Sequence, residues 1–187
     1  MKNLKSIALA LVALVTLSAT AQTKKIDASK SGINWVGKKV TGSHEGTINL
    51  QEGALIFKGK KLVGGNFTVN MTTINTTDLE GKGKANLDGH LKSDDFFGVE
   101  KYPTATLVFK SIGEKSEGVY NVTADLTIKG KTESIKFEIT VSGNTASTNL
   151  KVDRTKYDIK YGSGSFFSDL GDKTIYDDFE LSVKLVF

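Results

Sequence analysis

Few side chains here are able to do chemistry. The chain has two histidines and no cysteine, which excludes thiol nucleophiles, disulfides and cysteine-ligated metals. His44-Glu45-Gly46-Thr47-Ile48 begins like a zinc-protease helix but lacks the second histidine, and its glycine and β-branched residues oppose a helix. Asp88-Gly89-His90 offers two metal ligands without a third or fourth. Asp94-Asp95 is a candidate carboxylate pair, although at a loop start such a pair more simply caps a turn, with Ser93 capping through Asp95. Gly162-Ser163-Gly164-Ser165 departs from the G-x-S-x-G elbow, and no strand-to-helix context surrounds it. Gly81-Lys82-Gly83-Lys84 reads as a flexible loop. No catalytic residue, metal or cofactor is assigned, and the protein reads as a non-enzyme.

Arg154 stands apart because every other member of the 25 Lys and Arg residues is a lysine. A planar five-donor fork kept at one position has two uses. It forms a bidentate structural pair with a carboxylate, tying a long loop to the rest of the fold, or it grips an anionic head group. The structural use is the simpler expectation.

The elements that must position these groups are strands. Apolar residues alternate with polar ones at Phe67, Val69 and Met71; at Ala105, Leu107 and Phe109; and at Tyr120, Val122, Ala124, Leu126 and Ile128. The same period runs through Ile135, Phe137, Ile139 and Val141, and through Phe179, Leu181, Val183, Leu185 and Phe187. Period two with one wet face is the mark of a strand on an antiparallel sheet. Residues 26–40 (containing Trp35), 47–51 and 54–58 are further candidates, giving about eight strands. Glu52-Gly53, Lys58-Gly59, Glu117-Gly118, Lys129-Gly130 and Gly143-Asn144 read as the turns between them. With no long helices to cover it, an eight-stranded sheet removes its edges by closing into a barrel. Such a barrel is just wide enough to be filled by side chains or to hold one slender ligand.

Residues 77–102 and 152–175 break the period and read as long connections with short helical turns, lying across the barrel openings. Leu87 and Leu91 have helical spacing. Each stretch carries an adjacent phenylalanine pair in polar surroundings, Phe96-Phe97 and Phe166-Phe167. Long ordered loops in a compact domain are usually functional.

Lys2 and Lys5, the apolar run from Ile7 to Leu17 and the small residues Ala19-Thr20-Ala21 form a secretory signal peptide, with cleavage expected after Ala21. Residues 1–21 are therefore set apart from a single domain at 22–187, placed in the periplasm or outside the cell. Without cysteine there is no lipid attachment at the new N-terminus. The net charge of +4 is spread among interspersed lysines and carboxylates, and no basic stripe with aromatics points to nucleic acid. Past the leader nothing is long and apolar enough to span a membrane. A transient membrane contact and a homodimer are both compatible with this surface.

Taken in order, several segments resemble the YceI-like family of secreted bacterial proteins. They are Ser31–Val40 followed by His44-Glu45-Gly46, the run Gly89–Phe109, Ala124–Thr132 and Val152–Tyr161. The run from Gly89 is the most specific, and Ala124 stands where glycine is more usual. The resemblance covers essentially the whole mature chain. It implies a lipocalin-like antiparallel barrel whose apolar tunnel binds an isoprenoid lipid, a polyprenyl diphosphate or a quinone, for transport or storage. On that picture Trp35, Phe67, Val69, Met71, Leu107, Phe109, Tyr120, Leu126, Phe137, Phe179 and Leu181 line the tunnel. Phe96, Phe97, Phe166 and Phe167 line its mouth, and His44 and Arg154 are head-group candidates. The alternative is a filled barrel acting through its outer surface as a structural or stress-protective module. A third reading is a hydrolase or isomerase acting on the bound lipid, which requires a buried His or Asp pair at the tunnel floor.

Overall fold

The computed structural model describes residues 20–187, so most of the expected leader lies outside the described residues. Nine antiparallel strands follow in order: β1 (Ala21–Lys25), β2 (Gly32–Lys39), β3 (Gly42–Lys58), β4 (Lys61–Thr76), β5 (Thr104–Ser116), β6 (Val119–Ile128), β7 (Lys131–Ser142), β8 (Thr145–Asp153) and β9 (Ile175–Val186). Strands β2 to β9 pair each with the next, and β9 returns to β2, closing an eight-stranded barrel. The outer strand, β1, prolongs the line of β2 along β3: Ile33–Lys39 of β2 pair with Gly42–Ile48 of β3, and Ala21–Lys25 pair with Ala54–Lys58.

The number eight agrees with the sequence reading, but the strands are not the same ones. Residues 47–51 and 54–58 belong to one continuous strand, because Glu52-Gly53 is not a turn. The register shifts there between Leu50 and Glu52, and a Cβ on Gly53 would sit 2.6 Å from the Phe67 ring. Gly53 thus serves close approach within a bulged strand. The other four glycine turns are hairpins, and Lys129 and Gly130 both have positive φ, 50° and 72°, as a two-residue connection matched to strand twist requires. Residues 26–31, expected as strand, form a turn in which Asp27 accepts from Ser29. The alternation pattern signals neither β1 nor β8.

Residues 77–103 hold one helix, α1 (Gly81–Lys92). Gly81–Lys84 is its first turn rather than a flexible loop. Lys84 reaches Asn75, the Thr76 carbonyl and Asp88, while Asp88 also accepts from the Thr76 amide at 2.8 Å. These bonds fasten α1 to β4. Ser93 closes the helix by donating its hydroxyl to the His90 carbonyl, so it caps backward and not toward Asp95. Residues 154–174 carry two short helical turns, η1 (Arg154–Tyr157) and η2 (Gly171–Lys173). Antiparallel order puts both long connections at the same end of the barrel, with the β2–β3 and β6–β7 hairpins, instead of one at each opening. They meet there through His90, whose ring centre is 4.4 Å from Tyr161 and 5.5 Å from Phe96.

Candidate functional site

The barrel interior is divided. At the end of the β3–β4, β5–β6 and β7–β8 hairpins it is filled by Leu55, Phe57, Leu62, Tyr120, Val122 and Ala146, all buried. Toward the lidded end the side chains leave a cavity of about 170 Å³. Its wall is almost wholly apolar because the inward positions of the barrel strands are nearly all apolar. Trp35 comes from β2; Phe67, Val69 and Met71 from β4; Leu107 and Phe109 from β5; Leu126 from β6; Phe137 from β7; Phe179 and Leu181 from β9. Phe96 and Phe97 close it from the first connection. Tyr120, expected beside them, is buried but lies in the filled end, not on this wall.

The two phenylalanine pairs have different fates. Phe96 and Phe97 are packed edge to face, their ring centres 5.1 Å apart, and Phe97 continues to Phe179 at 6.4 Å. The chain turns back at Gly98, φ +58°, which lets adjacent side chains share one apolar chamber. Phe166 and Phe167 do not line the mouth: they are 50% and 51% exposed on the second connection, with Lys160 over the Phe166 ring at 5.0 Å. Their amides both bond the Ser163 carbonyl, a tight turn that carries the rings outward.

The rim is where the polar groups stand. Gly37, Lys38, Ile175, Tyr176 and Asp178 complete the wall, and Tyr176 is half exposed. The β2–β9 register slips between Gly37 and Lys39, a bulge of the kind found at barrel rims. Lys38 is held by Glu180 at 2.7 Å and Asp178 by Lys151 at 3.1 Å.

Arg154 is 1% exposed and also touches the cavity. Its fork is given to backbone carbonyls: Nε donates to Tyr176 (3.2 Å), Nη1 to Ile159 (2.8 Å) and Nη2 to Ile175 (3.0 Å). The expected carboxylate partner is secondary, since Asp177 Oδ1 stands 3.6 Å from Nη2. Burial lowers the guanidinium pKa, while Asp177 and Asp153 oppose that shift. For Asp177, burial raises the carboxyl but hydrogen bonds from Ser163 and Ser165, together with Arg154, outweigh it and leave it depressed. Ser163 and Ser165 therefore support this ion pair.

His44 is off the cavity wall. Its Nδ1 lies 2.8 Å from Asp78, which also accepts the Glu45 amide, so it ties the start of the first connection to β3. Gly46 explains the rest of that motif: a Cβ there would meet the Asn75 carbonyl at 2.0 Å and the Trp35 ring at 2.5 Å. The glycine lets Trp35 lie flat against β3, where its Nε1 donates to Thr47. His90 likewise lies off the wall, and burial lowers its pKa. Among the described residues no three His, Asp or Glu side chains converge as a metal site, and no helix is long and apolar enough to cross a membrane. Wall residues that the sequence reading missed include Ile33, Ile48, Leu50, Ile74 and Thr148.

Comparison with known proteins places this geometry. Residues 25–187 match the YceI-like domain. A UPF0312 protein of Vibrio parahaemolyticus is 30% identical over 140 residues, covering 73% of this chain and 72% of that one. A UPF0312 protein of Shewanella denitrificans is 34% identical over 90 residues, and this match spans 48% of the chain and 45% of the relative's length. Among solved structures, BcnA of Burkholderia cenocepacia aligns with a TM-score of 0.69 at 25% identity, over 87% of this chain and 99% of that one. A polyisoprenoid binding domain from Saccharophagus degradans, implicated in plant cell wall breakdown, aligns at 0.62 and 17% identity, over 86% and 95% of the two chains. That last likeness is one of fold.

Proposed function

Since the chain belongs to the YceI-like domain family, we propose that it binds an isoprenoid lipid in the lidded half of its barrel and carries or stores it. The observation that carries this reading is the cavity: about 170 Å³ of space walled by apolar side chains where a self-sufficient core would be packed solid. A relative of the same fold is described as a polyisoprenoid binding domain, which agrees with an apolar chain as the occupant. The volume is informative. An engineered apolar cavity of about 150 Å³ holds benzene, so this one holds one ring or one to two isoprene units before wall side chains must move.

Transfer from a bilayer gains almost nothing on the hydrophobic term, because lipid tails are already as apolar as the wall. Selectivity then rests on cavity length and on the polar rim. Arg154 and Lys38 are committed to protein partners, which favours a neutral head group, such as a quinone or an alcohol, over a diphosphate. His44, committed to Asp78, is not carried forward as a head-group residue. The exposed Phe166-Phe167 turn beside the rim suits a transient membrane contact at which cargo is exchanged. An exported protein fits such work: cleavage after Ala21 leaves Gln22–Lys25 paired with Ala54–Phe57, and residues 22–187 keep the whole barrel.

Native mass spectrometry of protein purified without detergent tests the reading. We expect an additional apolar mass that is lost on organic extraction. A bare polypeptide mass, with Trp35 fluorescence unmoved by added farnesol, overturns it.

A further inference from the structure

The barrel wall is thinnest at one place, where the ladder is shorter even than the five-pair β4–β5 ladder. Strands β7 and β8 share only three register pairs, Thr140–Ser147, Val141–Ala146 and Ser142–Thr145, although β7 runs back to Lys131 and β8 on to Asp153. The hairpin at Lys129-Gly130 makes Ile128 and Lys131 a bonded pair, so alternate residues of β7 from Lys131 bond to β6, and the even-numbered ones face β8. The N–H and C=O groups of Lys136 and the N–H of Glu138 thus face Asn149 and Lys151 across an unzipped seam. A side chain spans it. Thr148 donates its hydroxyl to the Glu138 carbonyl at 2.7 Å, taking the place of a ladder bond.

Thr148 is also the polar exception on an inward face otherwise made of Ala146, Leu150 and Val152. It belongs both to the cavity wall and to a hollow of about 320 Å³ on the outer surface. The hollow is lined by hydroxyl and amide side chains from Thr140, Ser147, Asn149 and Ser182, together with Glu138, whose carboxylate is paired with Lys115. Inside the seam is apolar, outside it is hydrogen-bonding, and Thr148 with its β9 neighbour Val183 borders both. At the lidded end η1 packs on β7 and ends the seam.

We propose that the β7–β8 seam is a lateral port of the cavity, and that the hollow outside it seats the neutral polar end of an amphipathic ligand whose apolar chain lies within. The proposal rests on the cavity binding an apolar chain. It resolves the mismatch between a small cavity and a long cargo, because a chain threaded through the side wall need not fit inside. Hydroxyls and amides beside a carboxylate recognise an alcohol or a carbonyl and disfavour a diphosphate.

The test staples the seam. Glu138 and Asn149 are the next positions in register beyond Thr140–Ser147 and both face the hollow. In a chain with no native cysteine, the pair Glu138→Cys/Asn149→Cys can be bridged by oxidation or by a short bis-maleimide without side reactions. Farnesol and farnesyl diphosphate are the probes, followed by Trp35 fluorescence in stopped flow, with circular dichroism checking the fold. We expect the wild-type protein to bind farnesol more tightly than the diphosphate, and the stapled variant to associate with farnesol at least tenfold more slowly than the same variant reduced. Thr148→Val, which keeps the shape and loses the latch, should release farnesol about fivefold faster, as loss of one hydrogen bond implies. Equal association rates for stapled and reduced protein overturn the port while leaving the cavity reading intact. Binding by neither form overturns both.

Discussion

Arg154→Ala separates the two uses of the single arginine. The guanidinium joins the end of β8 to three carbonyls on the second connection and the start of β9, and it lies 5.6 Å from the Phe96 ring. Of the three bonds, the one to Ile159 is buried and the other two are partly buried. A hydrogen bond to a charged group contributes about 1.5–3 kcal/mol, and a buried carbonyl left alone keeps that full penalty. The Ile175 and Tyr176 carbonyls recover part of theirs from water, which brings the sum to about 3–5 kcal/mol, the range for breaking a buried ionic contact. For a domain of this size each kcal/mol moves the midpoint by about 2–4 °C, so ligand-free Arg154→Ala should melt roughly 6–20 °C below wild type. Arg154→Lys retains the charge and one bond and should fall in between. Asp177→Asn should cost less than either, because its carboxylate is the more distant partner. The assay is thermal denaturation of delipidated protein, read by circular dichroism. An Arg154→Ala curve that overlays the wild type refutes the structural role and returns this residue to head-group binding.

Phe137→Trp should shorten the cavity and weaken binding of long prenyl chains more than short ones, at a stability cost of about 1–3 kcal/mol from overpacking; equal loss at every chain length in a fluorescence titration speaks against a wall position. Gly46→Ala should destabilise by several kcal/mol and shift Trp35 emission, since the new methyl meets the Asn75 carbonyl and the indole; an unchanged spectrum and melting point contradict that packing. Burial holds the His90 imidazole below 6.5, with Asp95 pulling the other way, so the unfolded chain binds a proton there that the folded protein resists. Stability should therefore decline as pH falls from 7 through 6.5 toward the depressed native value, and decline less in His90→Asn; parallel midpoint curves for the two proteins between pH 7.5 and 5 rule this out.

What could be read in advance followed one rule, that period-two patterning shows where a side chain points and not what it meets. It identified the inward faces of β4, β5, β6, β7 and β9 and therefore most of the cavity wall. Period two puts Tyr120 on the same inward face as Leu126, yet Tyr120 is packed among core side chains while its cross-strand partner Ile139 borders the cavity, and packing has no periodic signature. Glu52-Gly53 looked like a turn because glycine marks both turns and places where a backbone must pass close to a ring. The Phe pairs are alike as dipeptides and opposite in burial, since the helix end and Gly98 fold one of them inward.

Thr148 shows most clearly how local pattern and function part company. In Thr145–Asp153 the threonine breaks an otherwise apolar inward series, which hides the strand from a search for strict alternation. The exception is what the open seam requires: an apolar residue there would leave the Glu138 carbonyl without its bond, and a perfect ladder would need no side chain at all. A barrel closed by eight complete ladders would bury its interior permanently. One with seven longer ladders and a latched seam at the shortest keeps the fold that the patterning encodes and confines the movement needed for loading to a single hydrogen-bonded side chain. Amide exchange can resolve this strand by strand. Lys136, Glu138, Asn149 and Lys151 should exchange fast beside slow neighbours Phe137, Ile139, Leu150 and Val152, and uniform protection along β7 and β8 would mean that the seam is zipped in solution.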